Sequence, residues 1–171
     1  MNIFAIEGDE KTGQIDWIKS GKSHDNYRVV KMILESCQLL STALNVHGLK
    51  GPYKSFNPKH PSTMWVIESS ANFDDLVNLT ISLLDEYGLR FKKTHKCEQV
   101  LKQILKTYDP SVFPSNKSTS LRLAMPNEFK TDNPVLSYRN YWLTKPNVRY
   151  PENKVPSWFK ERRVIPYQVI L

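Results

Sequence analysis

Four polar side chains with helical spacing have the composition of a site that excises a base. Arg28, Lys31, Glu35 and Gln38 follow one another at steps of three, four and three residues, and this spacing places them on one helix face. A carboxylate can stabilise an oxocarbenium-like sugar or activate a nucleophile, while neighbouring cations hold backbone phosphates. The same residues also fit a solvated helix face with an ordinary Lys31–Glu35 ion pair. The pattern alone leaves both interpretations open.

A histidine at a predicted helix entry is a second candidate for chemistry. His60 follows Lys59 and precedes Pro61, and proline suits the first turn of a helix because its missing N–H is not needed there. The ring could meet a phosphate or transfer a proton. Histidines at helix entries are also common as structural residues, so a capping role is the alternative.

A third group interleaves an arginine with aromatic rings. Tyr138, Arg139, Tyr141 and Trp142 lie close together in the sequence, and such a group suits stacking on an unpaired base together with a phosphate clamp. The i,i+4 spacing of Tyr138 and Trp142 is equally typical of core contacts. The predicted base-stacking residues are Trp65, Tyr138 and Trp142.

The positive charge is concentrated in two places. The net charge is +7, yet no Asp or Glu occurs between Glu35 and Glu68, where the loop from Lys50 to Lys59 lies. A second basic run spans residues 90–96. Clustered cations attract phosphates, although lysines also serve solubility. The predicted nucleic-acid contacts are Arg28, Lys31, Lys54, Lys59, Arg90, Lys93, His95, Lys96 and Arg139.

Composition and missing motifs narrow the function classes. A chain of 171 residues with 40% hydrophobic and 24% charged residues predicts one folded domain spanning residues 1–171. The sequence has no Gly-rich phosphate loop, no Gly-x-Ser-x-Gly, no His-Glu-x-x-His and no calcium loop, which leaves nucleotide hydrolases and metalloproteases without support. We therefore expect no metal and no cofactor. Cys37 and Cys97 lack metal-site spacing and are expected to be reduced core thiols.

The termini and hydropathy favour a cytoplasmic protein without a membrane partner. A membrane span needs at least about eighteen apolar residues in a row, and no stretch of the sequence reaches that length. A signal peptide has a basic region and a cleavage site, and the first residues have neither.

The elements that position these residues are mostly helical. Apolar residues at three- and four-residue steps predict a helix over 26–45 with Val30, Ile33, Leu34, Cys37, Leu40 and Leu44 on its buried face. Further helices are predicted over 61–68, 70–90, from 94 to before Asp109, over 134–144 and around 157–162. Residues 2–6 form a short extended segment, residues 109–133 a surface connection, and the end of the chain a proline-rich wrap. Residues 7–25 give no clear pattern. The fold class is mainly α, a single compact helical domain.

The order of these features resembles a known family. Five parts of the chain are similar to small, mostly uncharacterised phage and bacterial proteins. They are the run from Asn26 to Leu40, the sequence His60-Pro61-Ser62-Thr63-Met64-Trp65, residues 85–87 with the basic run, residues 123–126 and residues 134–142. More distantly, they resemble pyrimidine-dimer DNA glycosylases of the endonuclease V type. In those enzymes too, a helix bearing an Arg and a Glu precedes a basic loop and a His-Pro pair.

The resemblance implies an all-helical fold and excision of a damaged or modified base. Glu35 would be the catalytic carboxylate, and Arg28 and Lys31 would grip the phosphates. Those glycosylases attack the sugar with an α-amine exposed after Met removal. Here Asn2 follows Met1 and disfavours that removal, so the amine lies on Met1 or takes no part.

The leading hypothesis is a metal-independent base N-glycosylase, with or without lyase activity, acting on damaged or modified double-stranded DNA. Its expected catalytic residues are Glu35, His60 and Met1. One alternative is a non-catalytic phage protein that binds nucleic acid or a host factor. Another is a transferase that modifies bases within DNA.

Overall fold

Seven α-helices carry the fold of residues 1–163, the part of the chain that this computed structural model describes. The helices are α1 (Trp17–Lys22), α2 (Asn26–Val46), α3 (Pro61–Glu68), α4 (Ser70–Phe91), α5 (Cys97–Thr107), α6 (Pro134–Leu143) and α7 (Ser157–Arg163), with short 3-10 turns at Pro110–Val112, Asn127–Phe129 and Glu152–Lys154. Within residues 1–163 the only β pairing is an isolated bridge between Gly8 and Ile15. The predicted mainly α, single compact domain is confirmed.

Two long helices, α2 and α4, form the centre of the molecule. α4 packs against α1, α2 and α3, and α2 also packs against α3 and α5. Both begin at side-chain caps: Asp25 accepts hydrogen bonds from the N–H groups of Tyr27 and Arg28, and Ser69 accepts one from Asn72. Such caps satisfy amide groups that the first helical turn leaves unpaired.

The buried face of α2 differs from the predicted one. Val30 and Leu34 are 37% and 41% exposed, so their assignment to the core was wrong. Val29, Met32 and Leu39 are buried instead. Because α2 contacts three other helices, its buried surface is wider than one stripe, and the apolar spacing does not show which neighbouring row faces water.

The helix α5 begins at Cys97, three residues later than predicted. Lys92 has a left-handed backbone conformation with φ of 53° and ends α4, a role more often filled by glycine. The Nδ1 atom of His95 then accepts a hydrogen bond from the Cys97 N–H at 3.1 Å. This side-chain acceptor fixes the turn between the two helices.

The predicted extended segment at the start of the chain is part of the core. Ile3, Phe4, Ala5 and Ile6 are all buried. The Phe4 ring makes edge contacts with Trp142 at 5.0 Å and Tyr138 at 5.7 Å between centroids. The segment therefore runs between α2 and α6, and this position brings the first residues beside α2.

The unassigned stretch 7–25 contains α1. That helix has only six residues, too few for apolar periodicity to reveal it. Gly21 allows its close approach to α4, since a Cβ atom there would lie 2.5 Å from Ser82 Oγ.

The proline-rich wrap holds distant elements together. Arg149 accepts a backbone hydrogen bond from Asn26 at 2.8 Å, Lys154 pairs with Glu86 at 2.8 Å, and Trp158 Nε1 donates to Glu7 at 2.8 Å. Residues 144–163 thus cross the first turn of α2 and the end of α4. The predicted proline-rich wrap also includes Pro166, which lies outside the described residues.

Among the described helices, only α2 has the length and hydropathy of a candidate membrane span. Of the 18-residue window of α2 that meets this criterion, 61% is buried inside the protein. The core helix of a soluble protein meets the same criterion.

His24 predicts a dependence of stability on acid pH. Its ring is fully buried, Nδ1 donates to the Ser20 carbonyl at 2.6 Å, and Nε2 has no hydrogen-bond partner. Burial lowers the pKa of His24 from 6.5 to about 4. The unfolded chain therefore binds a proton more readily, so stability is complete above pH 6.5 and falls as the pH drops towards about 4. Over this window the loss is about 3 kcal/mol in free energy of unfolding.

Urea unfolding between pH 7.5 and 4.5 measures this loss, and a His24→Gln variant should show a shallower dependence on pH. The assignment is wrong if both proteins show the same dependence, or if the His24 ring signal titrates near 6.5 in an NMR experiment.

Candidate active site

The carboxylate of Glu35 meets the start of the chain. Its Oε2 lies 3.9 Å from the α-amine nitrogen of Met1 and accepts a hydrogen bond from the Asn2 N–H at 3.2 Å. Its Oε1 lies 3.4 Å from Lys31 Nζ. The Glu35 side chain is 13% exposed and that of Lys31 53%. One partly buried carboxylate is therefore placed between two amines, one sheltered and one facing solvent.

Asn2 anchors the chain start in this position. Its Oδ1 accepts hydrogen bonds from the Tyr138 hydroxyl at 2.8 Å and the Ile3 N–H at 2.9 Å, and its Nδ2 donates to the Ala124 carbonyl at 2.8 Å. These bonds satisfy a buried amide side chain and fix the backbone nitrogen of residue 2 beside Glu35. Sequence reasoning treated Asn2 only as an obstacle to Met removal and missed this anchoring role.

A cavity of about 240 Å³ opens at these groups. Lys145 Nζ lies 3.3 Å from the centre of the Tyr141 ring, a cation–π contact at the cavity wall. Tyr27, at the edge of the cavity, is 61% exposed. The lining residues are Met1, Asn2, Phe4, Tyr27, Arg28, Lys31, Met32, Glu35, Tyr141 and Lys145.

His60 caps α3 and lies within electrostatic range of the Glu35 site. Its Nδ1 accepts a hydrogen bond from the Ser62 N–H at 3.2 Å, so the neutral ring carries its proton on Nε2. Burial lowers the pKa of His60, the N-terminal amine lowers it further, and the Glu35 carboxylate opposes both. The structure thus brings Met1, Lys31 and Glu35 together at one cavity. His60 does not line this cavity and has the capping role considered as the alternative.

Arg28 lines the cavity but is already engaged. Its guanidinium forms an ion pair with the buried Asp25, lies 5.1 Å from the centre of the Trp142 ring and is 8% exposed. A phosphate would have to compete with a carboxylate in direct contact. Its predicted phosphate-gripping role is therefore not supported.

The other two predicted arginine contacts are structural. Arg90 is paired with Glu86 at 2.8 Å and donates to the carbonyls of Lys22 and His24 at 2.9 and 2.8 Å. Arg139 donates to the Ile6 carbonyl at 2.7 Å and pairs with Glu7 at 3.1 Å. Both side chains are about 5% exposed, so phosphates cannot reach them, and this part of the prediction is corrected.

The predicted base-stacking residues are core residues. Trp65, Tyr138 and Trp142 are 1%, 0% and 0% exposed, so no base can stack on them without unfolding the core. The i,i+4 spacing of Tyr138 and Trp142 reflects packing, as the alternative interpretation held. The accessible rings at the cavity are Tyr27 and Tyr141, which were not selected as stacking residues.

The remaining predicted cationic contacts face solvent. Lys54, Lys59, Lys93 and Lys96 are exposed, and His95 is half-buried against Tyr87. The loop that carries Lys54 and Lys59 leads directly into His60. This loop is therefore the basic segment next to α3, and its backbone is bonded to α2 through Asn45 and Thr42.

The two cysteines are free and buried, which confirms the predicted core thiols. Hydrogen bonds from the Cys37 thiol and from the Tyr53 hydroxyl, which lies 3.6 Å from Cys97 Sγ, lower the pKa of Cys97 to about 6. Across residues 1–163 no group of three or more His, Cys, Asp or Glu side chains is arranged to hold a metal ion.

Comparisons of the chain with protein-family models, with curated proteins and with solved structures found no match. The geometry around Glu35 is therefore the basis on which a function is proposed.

Proposed function

We propose that the protein is a base N-glycosylase that acts on damaged or modified double-stranded DNA and uses an amine at the start of the chain as its nucleophile. The observation that carries this proposal is the placement of the Met1 α-amine 3.9 Å from the Glu35 carboxylate at the mouth of one cavity. A nucleophile beside a carboxylate that can take its proton is the arrangement that covalent catalysis requires.

The proposed reaction balances within this group of residues. The amine attacks C1′ of the target nucleotide and loses one proton to Glu35. The bond from C1′ to the base breaks, its electron pair leaves with the base, and Glu35 passes the proton that it took from the amine to the base. Opening of the sugar ring then gives an imine, which water hydrolyses to release the amine and an abasic sugar. Before it takes the proton, the Glu35 carboxylate stabilises the positive charge that develops on the sugar.

The cavity suits an extruded ring. Base chemistry on a duplex requires the nucleotide to leave the stack. The volume of about 240 Å³ lies below the roughly 300–1,000 Å³ typical of sites for drug-sized ligands, and it fits one ring better than a whole nucleotide. Tyr27 offers a face for stacking, while the exposed amine of Lys31 is suited to phosphate oxygens. The half-buried Lys145 covers one face of the Tyr141 ring.

The geometry holds for two forms of the chain start. With Met1 present, its amine is the group beside Glu35. Were Met1 removed, the nitrogen of Asn2, which lies 3.2 Å from Glu35 Oε2, would become the α-amine. In both forms an amine meets the same carboxylate.

Borohydride trapping tests the amine directly. We expect a covalent adduct when the protein is incubated with labelled duplexes carrying damaged or phage-type modified bases and sodium borohydride, because reduction fixes the imine. Intact mass establishes the N-terminal residue, and peptide mass identifies the linked nitrogen. A variant with two residues added before Met1 should lose the adduct, because its amine is displaced from Glu35.

Lys31→Met is the matched control, since it removes the other amine beside Glu35 and should retain the adduct. An adduct lost in Lys31→Met and retained in the extended protein would contradict the N-terminal assignment. Absence of base release on every substrate would contradict the glycosylase.

The non-catalytic binding protein remains a second proposal because Lys54, Lys59, Lys93 and Lys96 are exposed with or without a reaction at Glu35. Salt-dependent duplex binding without base release would favour it. The base-modifying transferase would use the same cavity, and a base that stays in the strand with a changed mass would indicate it.

A further inference from the structure

The loop between α2 and α3 is fastened to α2 along its length. The Asn45 side chain accepts a hydrogen bond from the Gly51 N–H at 2.8 Å and donates to the Tyr53 carbonyl at 2.9 Å. The Thr42 hydroxyl accepts one from the Phe56 N–H at 3.1 Å. Three backbone groups of the loop are thus bound to side chains of one helix, which holds the loop in a defined conformation.

Gly51 makes the closest of these approaches possible. A Cβ atom at this position would lie 2.4 Å from the Ser41 carbonyl oxygen, so only glycine lets the loop backbone lie against α2. The loop is therefore a fixed projection from the helix.

This fixed loop presents Phe56 to solvent. The ring is 57% exposed, and Tyr27 is the other aromatic among the large exposed side chains of residues 1–163. Phe56 lies between Lys54 and Lys59, in the interval of the sequence that contains no acidic residue. A solubility role would account for the lysines, but it gives no reason to hold an apolar ring in water among them.

The position of Phe56 relates it to Glu35. Thr42, which holds the Phe56 backbone, follows Glu35 by seven residues on α2, so the two lie on the same helix face about 10 Å apart along the axis. That separation is about three base steps of duplex DNA at ~3.4 Å each. The Phe56 backbone and the Glu35 cavity therefore lie along the same side of α2.

We propose that Phe56 inserts its ring between neighbouring bases of double-stranded DNA close to the nucleotide at the Glu35 cavity, with Lys54 and Lys59 on the adjoining phosphates. Apolar side chains inserted at a base step unstack it and bend the duplex, and a basic surface supplies the phosphate contacts. The proposal rests on the proposed function for the identity of the partner, but it requires only duplex binding and no reaction.

The test uses a duplex with 2-aminopurine about three base steps from the target base, whose fluorescence rises when the stack is broken. We compare wild type, Phe56→Ala, Phe56→Leu and the control Leu89→Ala, which removes an apolar side chain that is 60% exposed on α4. Wild type and Leu89→Ala should raise the fluorescence equally. Phe56→Ala should abolish the rise and weaken duplex binding about tenfold, within the range of ~1–3 kcal/mol per stacked base, while Phe56→Leu should retain part of both.

The dependence of binding on salt separates the ring from its lysines. Phe56→Ala should leave the slope of log K against log salt unchanged, whereas Lys54→Gln with Lys59→Gln should reduce it by about two. If base release is detected, Phe56→Ala should slow it on duplex DNA but not on a single strand, where the target is already unstacked.

The outcomes distinguish this inference from the proposed function. A fluorescence rise that depends on Phe56, without base release on any substrate, supports insertion and contradicts the glycosylase. Base release with Phe56→Ala indistinguishable from Leu89→Ala in fluorescence and affinity overturns insertion and leaves the glycosylase. A wild-type protein that binds the duplex without raising the fluorescence, or does not bind it, also overturns insertion.

Discussion

Glu35→Gln is expected to lower the rate of base release by a factor of at least about 10²–10⁴, the range that positioned acid–base groups contribute. The amide is nearly the same size as the carboxylate, but it carries no charge and cannot take a proton from the Met1 amine 3.9 Å away. It also cannot stabilise the positive charge that develops on the sugar. The measurement is single-turnover release of the base from a duplex, with affinity determined separately by fluorescence anisotropy.

Glu68→Gln is the matched control. It removes a carboxylate that pairs with Arg122 and accepts a hydrogen bond from Thr119, and none of these residues lines the Glu35 cavity. Base release by this variant should equal that of wild type. Duplex affinity of Glu35→Gln should be unchanged or slightly higher, because removing a negative charge favours phosphates. A Glu35→Gln protein with the wild-type rate would contradict the proposed role of Glu35.

The helices were predictable because their signals are local. α3 begins at Pro61 and ends at Glu68 as predicted, and the prediction for α4 differs by one residue at its end. The Lys31–Glu35 pair was equally predictable, because an i,i+4 spacing on a helix fixes which side chains are neighbours. Each of these statements needs only residues within a few turns of one another.

The chain start beside Glu35 was not predictable from such signals. It depends on Asn2 bonding to Tyr138 and Ala124, contacts between residues more than a hundred positions apart. The sequence supplied Glu35 and Met1 as candidates through a resemblance, but no local pattern shows that the two meet. Folding of the first segment between α2 and α6 creates that contact.

The arginine predictions that failed share a physical cause. Each arginine was predicted to be a surface cation. The several N–H donors of its side chain also suit it to ion pairs with carboxylates inside a protein. Arg28 pairs with Asp25, three residues before it, and this partner could have been noticed from the spacing. Arg139 uses partners at the opposite end of the chain, and no pattern near it indicates them.

Arg139→Ala is expected to lower the free energy of unfolding by about 3–5 kcal/mol, the cost of breaking a buried ion pair. The guanidinium is 6% exposed, Nε donates to the Ile6 carbonyl at 2.7 Å, Nη2 pairs with Glu7 at 3.1 Å, and a further pair forms with Glu10. Its carbon atom lies 5.1 Å from the centre of the Trp158 ring. Removal leaves the Ile6 carbonyl and the Glu7 carboxylate with buried acceptor atoms, while the half-exposed Glu10 returns to water at little cost.

Arg122→Ala provides the comparison, because this arginine is 46% exposed and pairs with Glu68 near the surface. Its loss should cost less than about 1 kcal/mol. Urea unfolding of both variants measures the difference, and duplex binding under conditions where each remains folded tests the earlier prediction that Arg139 contacts nucleic acid. If Arg139→Ala keeps wild-type stability and loses duplex affinity, the side chain turns outward in solution and binds phosphate. If it loses stability and the folded fraction binds DNA as wild type does, Arg139 acts by fastening α6 to the first segment. Because the same segment positions the Met1 amine beside Glu35, Arg139 would then also support the geometry of the proposed active site.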